Sequence, residues 1–359
     1  MTSRERVEAA LKHTEPDRTP VFEYVLLSPL ADLFLGRRYA ADPGNWENAM
    51  RELGWERAVR QVSRDRLDLA LRLGHDMIYA PRCPARPAPI DTPPPTPAST
   101  PDDPVERLAA RNRRSADSPA PSSDNFLLYR LLREEMAGRG VDLPILAGAY
   151  AHGVWTDVDL MQTMLLAPEV AREHFSLATE GVLANVEQYA KAGVDHIGVG
   201  GDFAGTRLII SPEAYAEFIV PEVRTVSRRV HELGKISVNA SDGNLWPVIE
   251  DFLFGCEVDG YLEIDMHAGM DLAELKKRHG ERVTFYGNLD CGNVLSFGTP
   301  EAVRAHTISC IEAGFGRGGH ILCASNAITA SVPLENYMAV VGAYRDMFGL
   351  PELDITSGR

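Results

Sequence analysis

The sequence predicts an α/β fold, a single (β/α)8 TIM barrel with an N-terminal helical extension and a proline-rich insertion. Eight short apolar runs recur along the chain, each followed by a segment of helical periodicity, which is the pattern of a parallel sheet with crossover helices. Helix-start signals agree: "SPEAY" at Ser211 and "TPEAV" at Thr299 both put a hydroxyl N-cap before a proline at the first helical position. With 359 residues, 45% of them hydrophobic, the chain is long enough for two average domains or one large barrel, and the count of eight units selects the barrel over residues 1–359.

The segment before the first run, "MTSRERVEAALKH", is charged and helical in pattern, so residues 1–18 are read as an N-terminal helix and not as a secretory signal. The strand-like runs are "TPVFEY" (19–24), "HDMIYA" (75–80), "PILAGAY" (144–150), "HIGVGGD" (196–202), "KISVNAS" (235–241), "GYLEID" (260–265), "VTFYGNLD" (283–290) and "HILCAS" (320–325). Between the second and third lies "RPAPIDTPPPTPASTPDDPVERL", too rich in proline for regular structure, and residues 84–106 are read as a loop insertion.

Totals narrow the function. A formal net charge of −15 argues against a nucleic-acid partner, which would need clustered Lys and Arg. No run approaches the roughly 18 apolar residues of a membrane span. The five cysteines, Cys83, Cys256, Cys291, Cys310 and Cys323, are widely spaced without a C-x-x-C pair and read as reduced thiols of a cytoplasmic protein. These features favour an enzyme acting on a small molecule; a homo-oligomer is compatible with them.

In such barrels the active site lies at the C-terminal strand ends, where alternate residues face the bore. Period-two alternation then predicts His196, Gly198, Gly200 and Asp202 facing inward on the fourth run, against Ile197 and Val199 outward. On the fifth run the polar set Ser237, Asn239 and Ser241 is predicted to face the bore, opposite Ile236, Val238 and Ala240. The sixth offers Tyr261, Glu263 and Asp265, and the seventh Thr284, Tyr286, Asn288 and Asp290. Consecutive strands therefore end in carboxylates and amides, with Asp242 just beyond the fifth. So many acids at one rim, near few cations (Arg82 and Arg207), predict that one or two have raised pKa values and serve as proton donors. Tyr24, Tyr150, Trp155, Phe203 and Tyr286 are candidate walls for a flat or cationic ligand, and His152 and His267 candidate acid/base groups. No H-E-x-x-H, no close His/Cys pair, no nucleophile elbow and no phosphate loop is present, so no metal ligand is predicted.

Five segments in order, "RERVEAALKHTEPDRTPV", "GDFAGTRLIISPEAYAEFIVPEVRTV", "SDGNLWPVIEDFLFGCEVDGYLEI", "AGMDLAELKKRHGERVTFYGNLD" and "GTPEAVRAHTISCIEAGFGRGGHIL", resemble the uroporphyrinogen decarboxylase superfamily. That superfamily contains tetrapyrrole decarboxylases and methyltransferases that serve corrinoid proteins, all (β/α)8 barrels. The resemblance implies an enzyme. The decarboxylases carry an arginine-rich clamp after the first strand; here the region reads "YVLLSPLADLFLGRR", which lacks it unless Arg37 and Arg38 substitute. The thiol-activating methyltransferases hold zinc through a His-x-Cys pair on the fifth strand and a Cys after the eighth. This chain has "NASDGN" at the first place and "CASNAI" at the second, so zinc is not expected. The resemblance thus favours the methyltransferase branch: a methyl group moving between a small donor, or tetrahydrofolate, and a corrinoid carried on a partner protein. On this reading Asp242, Glu263 and Asp290 are catalytic, while Asp202, Asn239, Asn288, Asn326, Tyr150, His152, Phe203 and Arg207 bind the substrate. A pterin edge suits such a rim, because its adjacent N–H donors match carboxylates. The alternatives are a decarboxylase and a non-catalytic corrinoid-binding barrel.

Overall fold

The computed structural model describes residues 1–87, 101–116 and 122–353. Most of the proline-rich insertion read at 84–106 therefore lies outside the described residues. At its far end Pro104 starts a helix, Pro104–Ala116, as a proline in a first turn can.

Seven parallel strands form one sheet in sequence order: β1 (Ile78–Tyr79), β2 (Ile145–Gly148), β3 (His196–Gly200), β4 (Ile236–Ala240), β5 (Gly260–Leu262), β6 (Thr284–Tyr286) and β7 (His320–Ile321). They correspond to the second through eighth runs of the sequence. The first run completes the ring without forming a ladder. Val21 makes a parallel bridge to Leu322 beyond β7, and its carbonyl accepts from the Asp76 amide ahead of β1 at 2.7 Å. Pro20 has no N–H to add to this pairing but accepts from the Leu322 amide at 2.8 Å, and Leu26 makes a second isolated bridge to Ile328. The architecture is a TIM-barrel-like α/β fold, as the sequence predicts.

Both predicted caps form: Ser211 accepts from the Ala214 amide and Thr299 from the Ala302 amide. Long helices, among them Trp55–Leu73, Pro168–Lys191, Val220–Glu232 and Pro300–Gly314, alternate with the strands. Ile197, Val199, Tyr261 and Phe285 pack in the outer apolar layer with helix residues such as Val223 and Phe252. The bore holds a second, smaller cluster that includes Phe22, Met77, Leu146, Val238, Leu262 and Tyr286.

The helix Ser3–Leu11 contributes Val7 and Ala10, both fully buried, to that bore cluster, so it stoppers the N-terminal end of the barrel. Beside it Asp76, fully buried, accepts from Arg6 at 2.6 Å and from Arg18 at 2.7 Å. A carboxylate out of water needs such partners, and removing them would strand a buried charge.

Two predicted faces, those of β4 and β5, are corrected here. On β4 it is Val238, not Asn239, that belongs to the bore. Ser237 instead bonds Ser227 of the helix Val220–Glu232 at 2.9 Å, and the Asn239 amide donates to the Phe252 carbonyl at 3.0 Å. A bore stoppered by an apolar helix selects the apolar face, and the polar face satisfies backbone groups among the outer helices. On β5 likewise Leu262 faces the bore and Tyr261, predicted inward, packs among the outer helices, whereas β6 keeps its predicted faces, Tyr286 inward and Phe285 outward.

Candidate functional site

At the C-terminal mouth the structure encloses a cavity of about 200 Å³ whose walls include Tyr24, Tyr79, Tyr150, Asp202, Leu262 and Glu263. Leu262 and Glu263 are neighbours in sequence yet both reach it. Glu263 has φ +71°, a left-handed conformation uncommon outside glycine, and this breaks the strand alternation so that two successive side chains look the same way. The sequence reading placed Glu263 at the mouth through simple alternation; the structure places it there through this reversal.

The carboxylates behind the cavity are linked through backbone. Asp202 accepts from the Asp242 amide at 2.9 Å, Asp265 accepts from the Gly243 amide at 3.2 Å, and Asn326 donates to the Asp242 carboxylate at 2.9 Å. Burial, with the charges of Asp202 and Asp265 added, pushes Asp242 up to about 7. Glu263 is raised to about 8 by burial and by the neighbouring Asp242 and Asp202, against the opposing effect of a hydrogen bond from Tyr24. The ring of Tyr24 also leans on Tyr79, centroids 4.4 Å apart. Near neutral pH the mouth thus presents carboxylic acids able to give up a proton, and among the described residues no Lys or Arg appears in the cavity wall.

The remaining predicted residues do not converge on this cavity. Asn239 is buried among the outer helices, as described. Phe203, fully buried, stacks on Tyr215 at 4.3 Å instead of facing ligand. His152 packs edge-on against Phe203 and accepts from the Val154 amide through Nδ1; burial lowers its pKa to about 4, so it is neutral. Asn288 is buried beside the Cys310 thiol of the helix Pro300–Gly314. Arg207 is exposed. Asn239 lies within β4 and keeps its alternation on the outer face, whereas His152, Phe203, Asn288 and Arg207 lie beyond strand ends, where alternation no longer predicts direction.

Asp290 sits in a separate polar cluster. Its carboxylate lies 2.9 Å from His267 Nε2, and it accepts from the Asn293 amide at 3.0 Å. Burial alone would raise its pKa, but the His267 bond and the backbone donors outweigh that and hold it below the ordinary value. It is an ionised anchor, not a proton donor. The sequence carried no sign of this division, because both groups of acids end strands.

Arg37, weighed above as a substitute clamp, is tied to Asp65 at 2.7 Å and also to Asp68. Near the two places where zinc ligands of the superfamily would stand, Asn239 faces outward and Asn326 donates to Asp242, while Cys323, three residues before Asn326, is buried in the bore cluster. This donor set does not suit a thiolate zinc site. Among the described residues no three His, Cys, Asp or Glu side chains are grouped to hold a metal, and no helix is long and apolar enough to cross a membrane.

Comparison with known proteins agrees with this architecture. A methyltransferase from Methanosarcina mazei superposes with a TM-score of 0.71 over 97% of this chain and 99% of its own, at 18% identity, a likeness of fold. The uroporphyrinogen decarboxylase of Psychromonas ingrahamii is 27% identical over 50% of this chain and 49% of its own length. The Methylated-thiol–coenzyme M methyltransferase of Methanosarcina mazei is 25% identical over 56% of this chain and 49% of its own. The chain spans about half the length of the curated relatives it matches. The sequence profile of the family described as Uroporphyrinogen decarboxylase (URO-D) matches residues 151–347, more than half of the chain, and the protein belongs to that family.

Proposed function

We propose that the protein is a methyltransferase that takes a methyl group from a small neutral or cationic N- or O-methyl donor, or from methyl-tetrahydrofolate, and delivers it to a corrinoid held by a partner protein. The observation that carries this reading is the acidity of the mouth: raised-pKa acids Asp242 and Glu263, backed by Asp202 and Asp265, with no cation in the cavity wall among the described residues. Such a site repels a polycarboxylated tetrapyrrole and favours a ligand rich in N–H donors or positive charge. The relative named as a coenzyme M methyltransferase supports the same branch.

The corrinoid supplies the methyl-accepting nucleophile; this chain's residues prepare the donor. Tyr24, Tyr79 and Tyr150 wall the cavity and exclude water from a flat or methylated group. Asp202 accepts from the ligand's N–H groups with the lone pairs not used by the Asp242 amide. As the C–N or C–O bond to the methyl group breaks, its electron pair stays on the heteroatom, and Glu263 passes its proton there. Tyr24, bonded to Glu263, steadies the carboxylate that results. Asn326 orients Asp242, which returns the proton balance by exchange with solvent at the rim.

Calorimetry with methyl-tetrahydrofolate, a methylated amine and a porphyrinogen tests the assignment. Saturable binding of a methylated ligand that is lost in Asp202→Ala supports it. Binding of the porphyrinogen alone refutes it in favour of decarboxylation.

A further inference from the structure

A second and larger cavity, about 380 Å³, opens beside the C-terminal end of β1 and shares no lining residue with the acidic mouth. It lies between the helices Pro43–Leu53 and Trp55–Leu73 and the segment that follows β1. Its walls are mainly apolar and rigid, with Trp46, Val62, Cys83 and the prolines Pro43 and Pro84. Three charged groups converge there: Arg66, Arg82 and Glu47.

Both arginines are under-used. Arg82 is exposed, and among the described residues it forms no ion pair or hydrogen bond. Arg66 spends one nitrogen on the Tyr79 carbonyl at 2.9 Å and lies over the Tyr39 ring, while its Nε is buried with no partner. A buried donor left without a partner costs free energy, so this guanidinium is short of acceptors. Two guanidinium groups against one carboxylate leave a net single positive charge, which suits a monoanion better than a dianion. The volume is that of a small-molecule site, with apolar walls and few convergent polar groups.

We infer that this cleft binds a small apolar monocarboxylate, its carboxylate held by Arg66 and Arg82 and its apolar body against Trp46. The cleft is a compartment distinct from the mouth. Between them lies a gap of about 30 Å³, lined by Arg66 on one side and by Tyr24 and Tyr79 on the other. That is room for about one or two waters and not for a ligand to thread through. Through Arg66 and the Tyr79 carbonyl, occupancy of the cleft adjoins the wall of the mouth. The inference goes beyond the proposed methyl transfer and does not depend on it.

Benzoate is a suitable probe, with benzamide as the uncharged control and acetate as the control without a ring. Titrations followed by calorimetry and by saturation-transfer NMR are expected to show saturable benzoate binding, with both controls at least about tenfold weaker. Arg82→Gln is expected to weaken benzoate roughly tenfold, as loss of one charge-assisted hydrogen bond does, and to melt like the parent because Arg82 is exposed and makes no ion pair or hydrogen bond among the described residues. Arg66→Lys, which keeps the charge but not the planar fork, should weaken it too. Asp202→Asn, which alters only the mouth, should bind benzoate as the parent does. No saturation by benzoate, equal binding of benzamide, undiminished binding in Arg82→Gln, or loss of binding in Asp202→Asn would each overturn the inference. Failure of methyl-donor binding at the mouth would leave these readouts unchanged.

Discussion

Glu263→Gln isolates the raised acidity of the mouth. The parent carboxyl titrates at about 8 in the folded chain against 4.5 ordinarily, because burial and the charges of Asp242 and Asp202 disfavour its ionised form. Its folded pKa is raised, so the stability it contributes is complete below about pH 4.5 and is lost as pH rises through about 8. At about 1.4 kcal/mol per pH unit over that span, the loss has an upper bound of roughly 5 kcal/mol. Coupling to Asp242 and local relaxation reduce the expected value to about 2–3 kcal/mol. Glutamine keeps the shape and the bond to Tyr24 but cannot ionise. Thermal melts of parent and variant from pH 5 to pH 8 should therefore diverge, the variant losing about 5 °C less, at about 2 °C per kcal/mol. Activity should move the other way. A lost general acid lowers kcat by about 10² to 10⁴, and the parent's rate should fall as pH rises through about 8. Parallel melting curves, or a variant with parental kcat, would refute the claim that Glu263 is a buried proton donor.

Asp202→Asn removes one of the charges that raise Asp242 and Glu263, so the alkaline fall in rate should move to lower pH, as a pH–rate profile would show. Asn239→Ala should leave ligand affinity at the mouth intact and cost about 1–3 kcal/mol in denaturant unfolding, because the Phe252 carbonyl loses its donor. Gly200→Ala should destabilise by about 2 kcal/mol or more, since φ there is +106° and a methyl group would collide with Asn239 Oδ1; circular-dichroism melts give the loss. Asp76→Ala, which leaves Arg6 only the Asp17 carboxylate and takes from Arg18 its carboxylate partner at the stoppered end of the barrel, should cost about 3 kcal/mol by the same measurement.

Much of the barrel was legible along the chain because the signals are local. Seven of the eight apolar runs became sheet strands, and the Ser211 and Thr299 caps formed where a hydroxyl precedes proline. That carboxyls of the mouth such as Asp242 and Glu263 hold their protons near neutral pH was also legible, since carboxylates crowded at strand ends raise one another whatever the details. The direction of individual side chains was not. Asn239 and Val238 obey the same alternation whichever of them faces the bore, and the choice was made by Val7 and Ala10 of a helix more than two hundred residues away, which fill the bore with apolar groups.

The sequence by itself determined the order of elements, the family pattern and the acidity of one end of the barrel, all set by short-range periodicity and composition. Only the tertiary structure decided which of those acids share a cavity. A single left-handed residue at Glu263 turns its carboxyl beside Leu262 into the mouth, while His267 and the amides around it draw Asp290 into a separate network and keep it ionised. The physical reason is that pKa and ligand reach depend on what lies within a few ångströms in space, and strand ends close in sequence pattern diverge there as soon as the backbone leaves the sheet.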